Sequence, residues 1–383
     1  MKKSDIRIIY LAGFLFSLPL ALTSYVNSSF LENYIGKNYV GMVYVVGSII
    51  TILAMLRMPK ILTKYGNRNV VMFSGVVAFA SLIYMAFGSG DIFILSSFIL
   101  YFVSGNFIIA SLDIFIEDLS DTHSIGKFRG LYLMIMSSAW VVAQFISGSV
   151  INKSSFLGIY LLSALFMVLF YILFIFFLKD FKDPEYKKMP VMKTVRFFIR
   201  NKNISRIYLL NFLLRFFFAW MIIYSPIYLH EYLGFAWDKI GIIFTIMLLP
   251  FVLLDFPLGK LSDKIGEKKM LFWGFIISAT STLFIPLILE PTLWLWAIVL
   301  FTTRIGAAVI EIMSEAYFFK SITEENDDEI SFFRNTGPLS FIVAPLCATA
   351  LLFLLPSFKY LFFVLSAVMF FGAFVSIRLK DIK

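Results

Sequence analysis

The chain alternates long apolar runs with short polar breaks. About twelve runs of roughly 18 residues or more can each cross the hydrocarbon core of a bilayer as a helix. They begin near Ile8, Val40, Val70, Ile92, Gly130 and Leu157, and again near Ile207, Ile240, Met270, Leu293, Phe332 and Tyr360. The runs are continuous and lack ten-residue alternation, so they predict helices and not a barrel. The pattern also occurs twice. Ile9-Tyr10-Leu11 recurs as Ile207-Tyr208-Leu209, and in the same register Phe14 matches Phe212, Leu31 matches Leu229, Tyr34 matches Tyr232 and Gly36 matches Gly234. Leu178-Lys179-Asp180-Phe181-Lys182 recurs as Leu379-Lys380-Asp381-Ile382-Lys383. The expectation is an all-α membrane protein of twelve transmembrane helices in two pseudo-symmetric six-helix bundles, residues 1–178 and 206–383. Residues 179–205 are the longest polar stretch and form a cytoplasmic linker. Within it, Val191 to Arg200 is basic and amphipathic, and is expected to lie along the inner membrane surface.

Composition agrees with the pattern. The chain is 60% hydrophobic and 15% charged, with a mean hydropathy of +0.88, more apolar surface than a soluble fold of this length can shield. Its net charge of +9 is unevenly spread. With the amino terminus inside, Arg57 to Arg68, the block from Lys179 to Arg206, and Lys260 to Lys269 all fall on the inner side. The outer loops receive only Lys37, Lys153, Lys239 and Lys359. This asymmetry predicts a multi-pass protein of the cell membrane with both termini in the cytoplasm. Lys2 and Lys3 precede the first run as in a signal peptide, but that run repeats the internal one at Ile207 and is read as a retained span. The charge is split among short loops, which argues against nucleic-acid binding.

Catalytic and metal chemistry find little support. The single cysteine, Cys347, lies in a predicted helix, and His123 and His230 are far apart. No G-x-x-x-x-G-K-[ST] occurs. No catalytic residues, metal or cofactor are expected, and the chain is not read as an enzyme. A membrane-embedded transferase would need acids or histidines clustered at one membrane face, which the short loops and scattered histidines disfavour.

The break after the eighth run reads Gly259-Lys260-Leu261-Ser262-Asp263-Lys264-Ile265-Gly266-Glu267-Lys268-Lys269. It resembles the G-x-x-x-D-[RK]-x-G-[RK]-[RK] loop of the major facilitator superfamily, with Glu267 as its one departure. Twelve runs, two related halves and a long central break fit that family as well. At the equivalent place in the first half only Lys64, Gly66 and Arg68 match, and Thr63 replaces the aspartate. The glycines permit a tight turn, and Asp263 can meet the positive end of a neighbouring helix. The resemblance implies that this loop latches the inner face. Gly259, Asp263, Lys264, Gly266 and Lys268 would act with Lys127 and Arg129 at the start of the fifth helix, and with Glu117 and Glu315 near inner helix ends. The plain alternative is a solvated basic loop that sets topology.

Ionisable residues inside spans are functional candidates by default. Asn106, Asp113 and Glu117 share one face of the fourth span, because spacings of seven and four return to the same side of a helix. Arg304, Glu311 and Glu315 repeat that spacing in the tenth, and Arg215 lies in the seventh. The resemblance implies that these helices surround a central cavity. Arg304 cannot neutralise itself and must find an acid, a carbonyl, water or an anionic solute group; Glu311 is the nearest acid along its helix. Glu311 and Asp113 are candidates to carry a proton. A fixed ion pair that only holds helices together is the structural alternative. Tyr25, Asn27, Trp140, Gln144, Asn211 and Tyr224 are further candidates to line a cavity, although aromatic residues in spans more often simply pack.

The function expected is secondary active transport of a small solute by rocker-switch alternating access, coupled to protons, in a monomer embedded in lipid. Two alternatives stay open. One is a non-transporting sensor or scaffold on the same fold. The other is a multidrug efflux antiporter, although the fifth run lacks the Gly-Pro motif of such exporters and only Gly148 partly matches.

Overall fold

The computed structural model describes residues 3–119, 125–177, 191–322 and 327–380. In the first half α1 (Lys3–Ser24) is followed by α2 (Asn27–Ile35), bent from it by 43°, and α3 (Val40–Met55) by α4 (Met58–Tyr65), bent by 55°. α5 (Asn67–Phe87), α6 (Asp91–Leu119) and α7 (Ile125–Phe177) complete that half. The second half holds α8 (Val191–Arg200), α9 (Lys202–Ile227), α10 (Trp237–Ile265), α11 (Glu267–Phe284) and α12 (Leu293–Ser321). It ends with α13 (Asp327–Arg334), α14 (Thr336–Leu354) and α15 (Tyr360–Ile377).

Among the described residues, nine helices are long and apolar enough to cross a membrane, and eleven spans result if each bent pair counts as one. α7 is 53 residues long and leaves helical geometry at Ser155 (φ 57°, ψ −164°). The runs expected from Gly130 and Leu157 therefore meet at a single residue, not at a loop around Lys153. Counting α7 as two helices across Ser155 gives the twelve expected.

The chain forms two compact units, Met1–Lys188 with Ala236–Gly241, and Met189–Phe235 with Ile242–Lys383. Within the first, α1 packs along α7, and α5 packs against α6 and α7. Within the second, α9 packs against α14, α12 and α15, and α11 packs against α12 and α15. The pair α11–α12 thus repeats α5–α6. The backbone repeats too. Gly36 and Gly234 adopt φ of 72° and 69°, and Gly66 and Gly266 adopt 79° and 87°, a region that residues with a Cβ avoid. The loop motif read from the sequence is mostly not a loop. Gly259 to Ile265 are the last turns of α10, and the reversal into α11 is made at Gly266 alone.

Polar side chains inside each unit bond across helices. Gln144 Nε2 donates to the Ala21 carbonyl at 2.7 Å, Tyr160 Oη to Asn27 Oδ1 at 3.0 Å, and Ser366 Oγ to the Ala279 carbonyl at 2.8 Å. Tyr25 and Trp140 meet edge to face. Gln144, Asn27, Tyr25 and Trp140, candidates for a cavity wall, therefore take part in helix packing within their unit.

Small residues set the closest approach. A Cβ placed on Gly306 of α12 would lie 2.3 Å from Ser278 Oγ and 2.5 Å from the Gly274 carbonyl oxygen of α11. Backbone on backbone leaves nothing flexible to give way. Gly306→Ala is expected to cost about 1–3 kcal/mol, read as a lower unfolding midpoint of the detergent-purified protein. Gly337→Ala should shift the midpoint far less, because its added Cβ meets nothing within 4 Å beyond its chain neighbours and its own helix.

Candidate functional site

The charged centre of the second unit is built by α9 and α12. Asn211, Arg215 and Phe218 follow at spacings of four and three on one face of α9, and Arg304, Glu311 and Glu315 line one face of α12. Arg215 Nη2 stands 2.9 Å from Glu311 Oε1 and 3.8 Å from Glu315 Oε1. The three side chains are 30%, 27% and 41% exposed, so the protein does not close the cluster off. One guanidinium thus faces two carboxylates. A bonded polar layer lies one turn away. Asn211 Nδ2 donates to Ser314 Oγ at 3.2 Å, and Thr336 Oγ1 of α14 donates to Asn211 Oδ1 at 2.7 Å. Ser314 Oγ in turn donates to the Glu311 carbonyl at 3.0 Å. This layer fixes the backbone from which both charged partners project.

Arg304 is only 1% exposed. Its guanidinium carbon lies 5.1 Å from the Phe217 ring centroid and 5.2 Å from that of Phe218. Arg215 lies 5.8 Å from the same Phe218 ring. Negative ring faces attract a cation where water is scarce. The sequence offered Glu311 as the acid for Arg304, but Glu311 bonds Arg215 on the neighbouring helix. Spacing along one helix reveals which residues share a face; it does not reveal which face of another helix they meet. Asn211, expected to line a cavity, is instead buried within the bonded layer, and Ser314 and Thr336 were not singled out from sequence at all. Short hydroxyl side chains are common in membrane spans, and no local pattern separates these two from the rest.

The first unit carries a weaker counterpart. Asn106 Nδ2 donates to the Phe102 carbonyl of its own helix at 2.8 Å, and Asp113 is half-buried on α6. In the repeat register Ser17, fully buried, stands where Arg215 stands, and Asn106 where Arg304 stands. The cations are thus confined to one copy of this constellation.

Of the latch residues, the side chains of Gly259's neighbours Asp263 and Lys264, and those of Glu117, Lys127 and Arg129, lie outside the described residues, as does Gly259 beyond its backbone. Gly266 makes the reversal, and Lys268 is half-buried in the first turn of α11. Glu315 lies beside Arg215. The departure at Glu267 has a structural partner. Glu267 is 5% exposed, and its Oε1 accepts a bond from Lys320 Nζ at 2.6 Å, joining the start of α11 to the end of α12. In the first unit the residue after the equivalent glycine does similar work: buried Asn67 donates to the Ser111 carbonyl of α6 at 3.0 Å. Thr63, where the motif has aspartate, donates its hydroxyl back to the Pro59 carbonyl at 2.8 Å.

Two compact units of apolar helices, one carrying a cluster of charges, define a polytopic membrane protein. The chain belongs to the Major Facilitator Superfamily, a family of membrane transporters, whose sequence profile matches residues 9–239 and again 207–381. The fold is similar to that of an auto-inhibited POT family peptide transporter (TM-score 0.79, 10% identity, covering 99% of this chain and 98% of that one). It is equally similar to the nucleoside transporter NupG (TM-score 0.79, 11% identity, covering 98% and 99%). No curated protein sequence matches the chain.

The Glu267–Lys320 bond makes a prediction specific to this chain. Lys320→Ala strands a buried carboxylate and should lower the unfolding midpoint by a loss of about 1–3 kcal/mol. Glu267→Lys should do the same by placing two cations together. Combining Glu267→Lys with Lys320→Glu should recover most of the loss, and a double-mutant cycle of midpoints in detergent measures the recovery.

Proposed function

We propose that the protein is a secondary active transporter that moves a small polar solute by rocker-switch alternating access, coupled to protons. The observation that carries this reading is the cluster of Arg215 with Glu311 and Glu315. One guanidinium neutralises one carboxylate. The other, Glu315, stands 3.8 Å from the same guanidinium. A shift of Arg215 from one acid to the other changes which carboxylate its charge stabilises, and that shift links solute occupancy to proton occupancy. Arg304, held against Phe217 and Phe218, adds a second positive charge to the face of α12 that carries Glu311 and Glu315. Asp113 and Asn106 are the matching candidates in the first unit, and Asp263, Lys264, Lys268, Gly259, Gly266, Arg129 and Glu117 remain the proposed latch. Both termini are proposed to be cytoplasmic and the working form a monomer.

A sensor or scaffold on the same fold is the second reading, and Thr63 favours it. Its hydroxyl is committed to its own helix and offers no charge where the family motif has one. Flux decides between the two.

Proteoliposomes holding a trapped pH indicator and offered dipeptides and nucleosides, the solute classes named for the two structural neighbours, test the proposal. A solute-dependent pH change that an uncoupler abolishes supports it; absence of any flux across both classes and a wider solute panel favours the sensor. Glu311→Gln should abolish gradient-driven accumulation of the active solute while leaving solute exchange intact, because the amide cannot cycle a proton. Loss of exchange and accumulation together would instead make Glu311 a structural or binding residue. Orientation is read separately: in a Cys347→Ser background, a cysteine at Arg57 should react only with reagent on the inside of sealed cells, and one at Lys359 only with reagent outside.

A further inference from the structure

The joint between α8 and α9 encloses a cleft of about 900 Å³ that the transport reading does not use. Six cations line it: Lys193, Arg196, Arg200, Lys202, Arg206 and Lys380. Among the described residues no acid lines it, and none of the six makes an ion pair with another described residue. Gathering six like charges is unfavourable unless something anionic offsets them.

The joint is built, not merely exposed. Asn201 caps α9, its side chain accepting from the Ile204 amide at 3.4 Å. Ser205 Oγ donates to the Phe198 carbonyl, and Phe198 is buried against Tyr208, Phe318 and Phe332. Arg206 is held in place by the Arg378 carbonyl at 2.6 Å and by Asn203 Oδ1 at 3.3 Å. The 26-residue helix α9 also directs the positive end of its dipole into this joint.

The flank of the cleft identifies the occupant. Met192 and Ile199 are 73% and 72% exposed, and their spacing of seven puts them on one face of α8. Lys193 and Arg200 repeat that spacing one residue on, so a cationic stripe runs beside an apolar one. A soluble anion needs only the first stripe. A lipid needs both: a phosphate for the cations and acyl chains for Met192 and Ile199.

We propose that this cleft binds the phosphate-bearing headgroup of an anionic phospholipid of the inner leaflet, tying α8 to the membrane surface. The leaflet rests on the cytoplasmic orientation proposed above; the headgroup site does not. The test uses the full-length protein in detergent, where both faces are accessible, so a wrong orientation leaves the result unchanged and shows only in the cysteine labelling. Native mass spectrometry compares phosphatidylglycerol with phosphatidylcholine of the same chains. The expected result is selective retention of phosphatidylglycerol that weakens as salt rises. Arg196→Ala with Arg200→Ala should weaken it about thirtyfold, following the usual contribution of each cation near an anionic surface. Removing two exposed cations from the other unit, Arg57→Ala with Lys60→Ala, should leave it unchanged. Met192→Ser with Ile199→Ser should weaken it as well. Equal retention of the two lipids by the unsubstituted protein overturns the proposal, whatever the variants do. So does equal weakening by both cation pairs, which would mean diffuse charge. Glycerol phosphate competing as strongly as the lipid at equal concentration would also overturn it, by showing a site for a soluble anion.

Discussion

Hydrocarbon offers no partner to a polar group, and the rest of the structure follows from that one constraint. Backbone groups satisfy it by forming helices. Side chains satisfy it by bonding back to their own helix, as Thr51 does to the Gly47 carbonyl, or by bonding to another helix. Gln144 reaches the Ala21 carbonyl, Asn67 the Ser111 carbonyl, Ser278 the Thr303 carbonyl and Ser366 the Ala279 carbonyl. Each such bond requires two helices to lie close, and the small residues at Gly274 and Gly306 make that approach possible. The bonds and the glycines are therefore one device. Removing a polar partner loosens the contact, and adding bulk separates the groups that need to bond.

The same constraint decides what could be read from the sequence. The spans are legible because transfer to hydrocarbon is a local property, summed over a window of residues. The duplication is legible because it preserves residues whose backbone role is fixed: Gly36 and Gly234 adopt the same left-handed conformation. The break at Ser155 was not legible. A serine is no signal for positive φ, and the polar residues around Lys153 read equally well as a short loop. The face of α12 followed from spacings of seven and four, and Arg215 stood out as an ionisable residue inside a span, so the candidates themselves were found. Their partners were not. Arg215 and Glu311 are 2.9 Å apart in space but belong to helices far apart in the chain, and complementary charge alone offered several pairings. Glu267 shows the reverse case. It read as a defect in a motif until Lys320, at the far end of the next helix, supplied its partner.

The duplication fixes backbone geometry in both copies but leaves their chemistry free to differ. The bilayer imposes identical demands on each copy, so the turn glycines, the α5–α6 and α11–α12 pairs and the residue that follows the turn all recur. The cations do not recur. Ser17 and Asn106 occupy the register of Arg215 and Arg304. An intramembrane cation costs several kcal/mol on the order of the insertion scales unless acids, rings or water surround it. Arg215 has two carboxylates, and Arg304 has two phenylalanine rings within 5.2 Å. Each cation therefore needs a local environment of its own: in the first copy position 17 is fully buried, and Asn106 bonds its own helix. Pro19 and Leu20 stand in the register of Phe217 and Phe218, so an arginine at position 106 would lack those rings. That makes the asymmetry self-reinforcing, since gaining a charged centre in the second copy requires several compatible side chains, whereas losing one takes a single substitution. Under the proposed transport reading, the centre is retained in one copy because one pair of acids beside a single arginine suffices to carry a proton, and a second centre would add the same desolvation cost without adding a new partner for the solute.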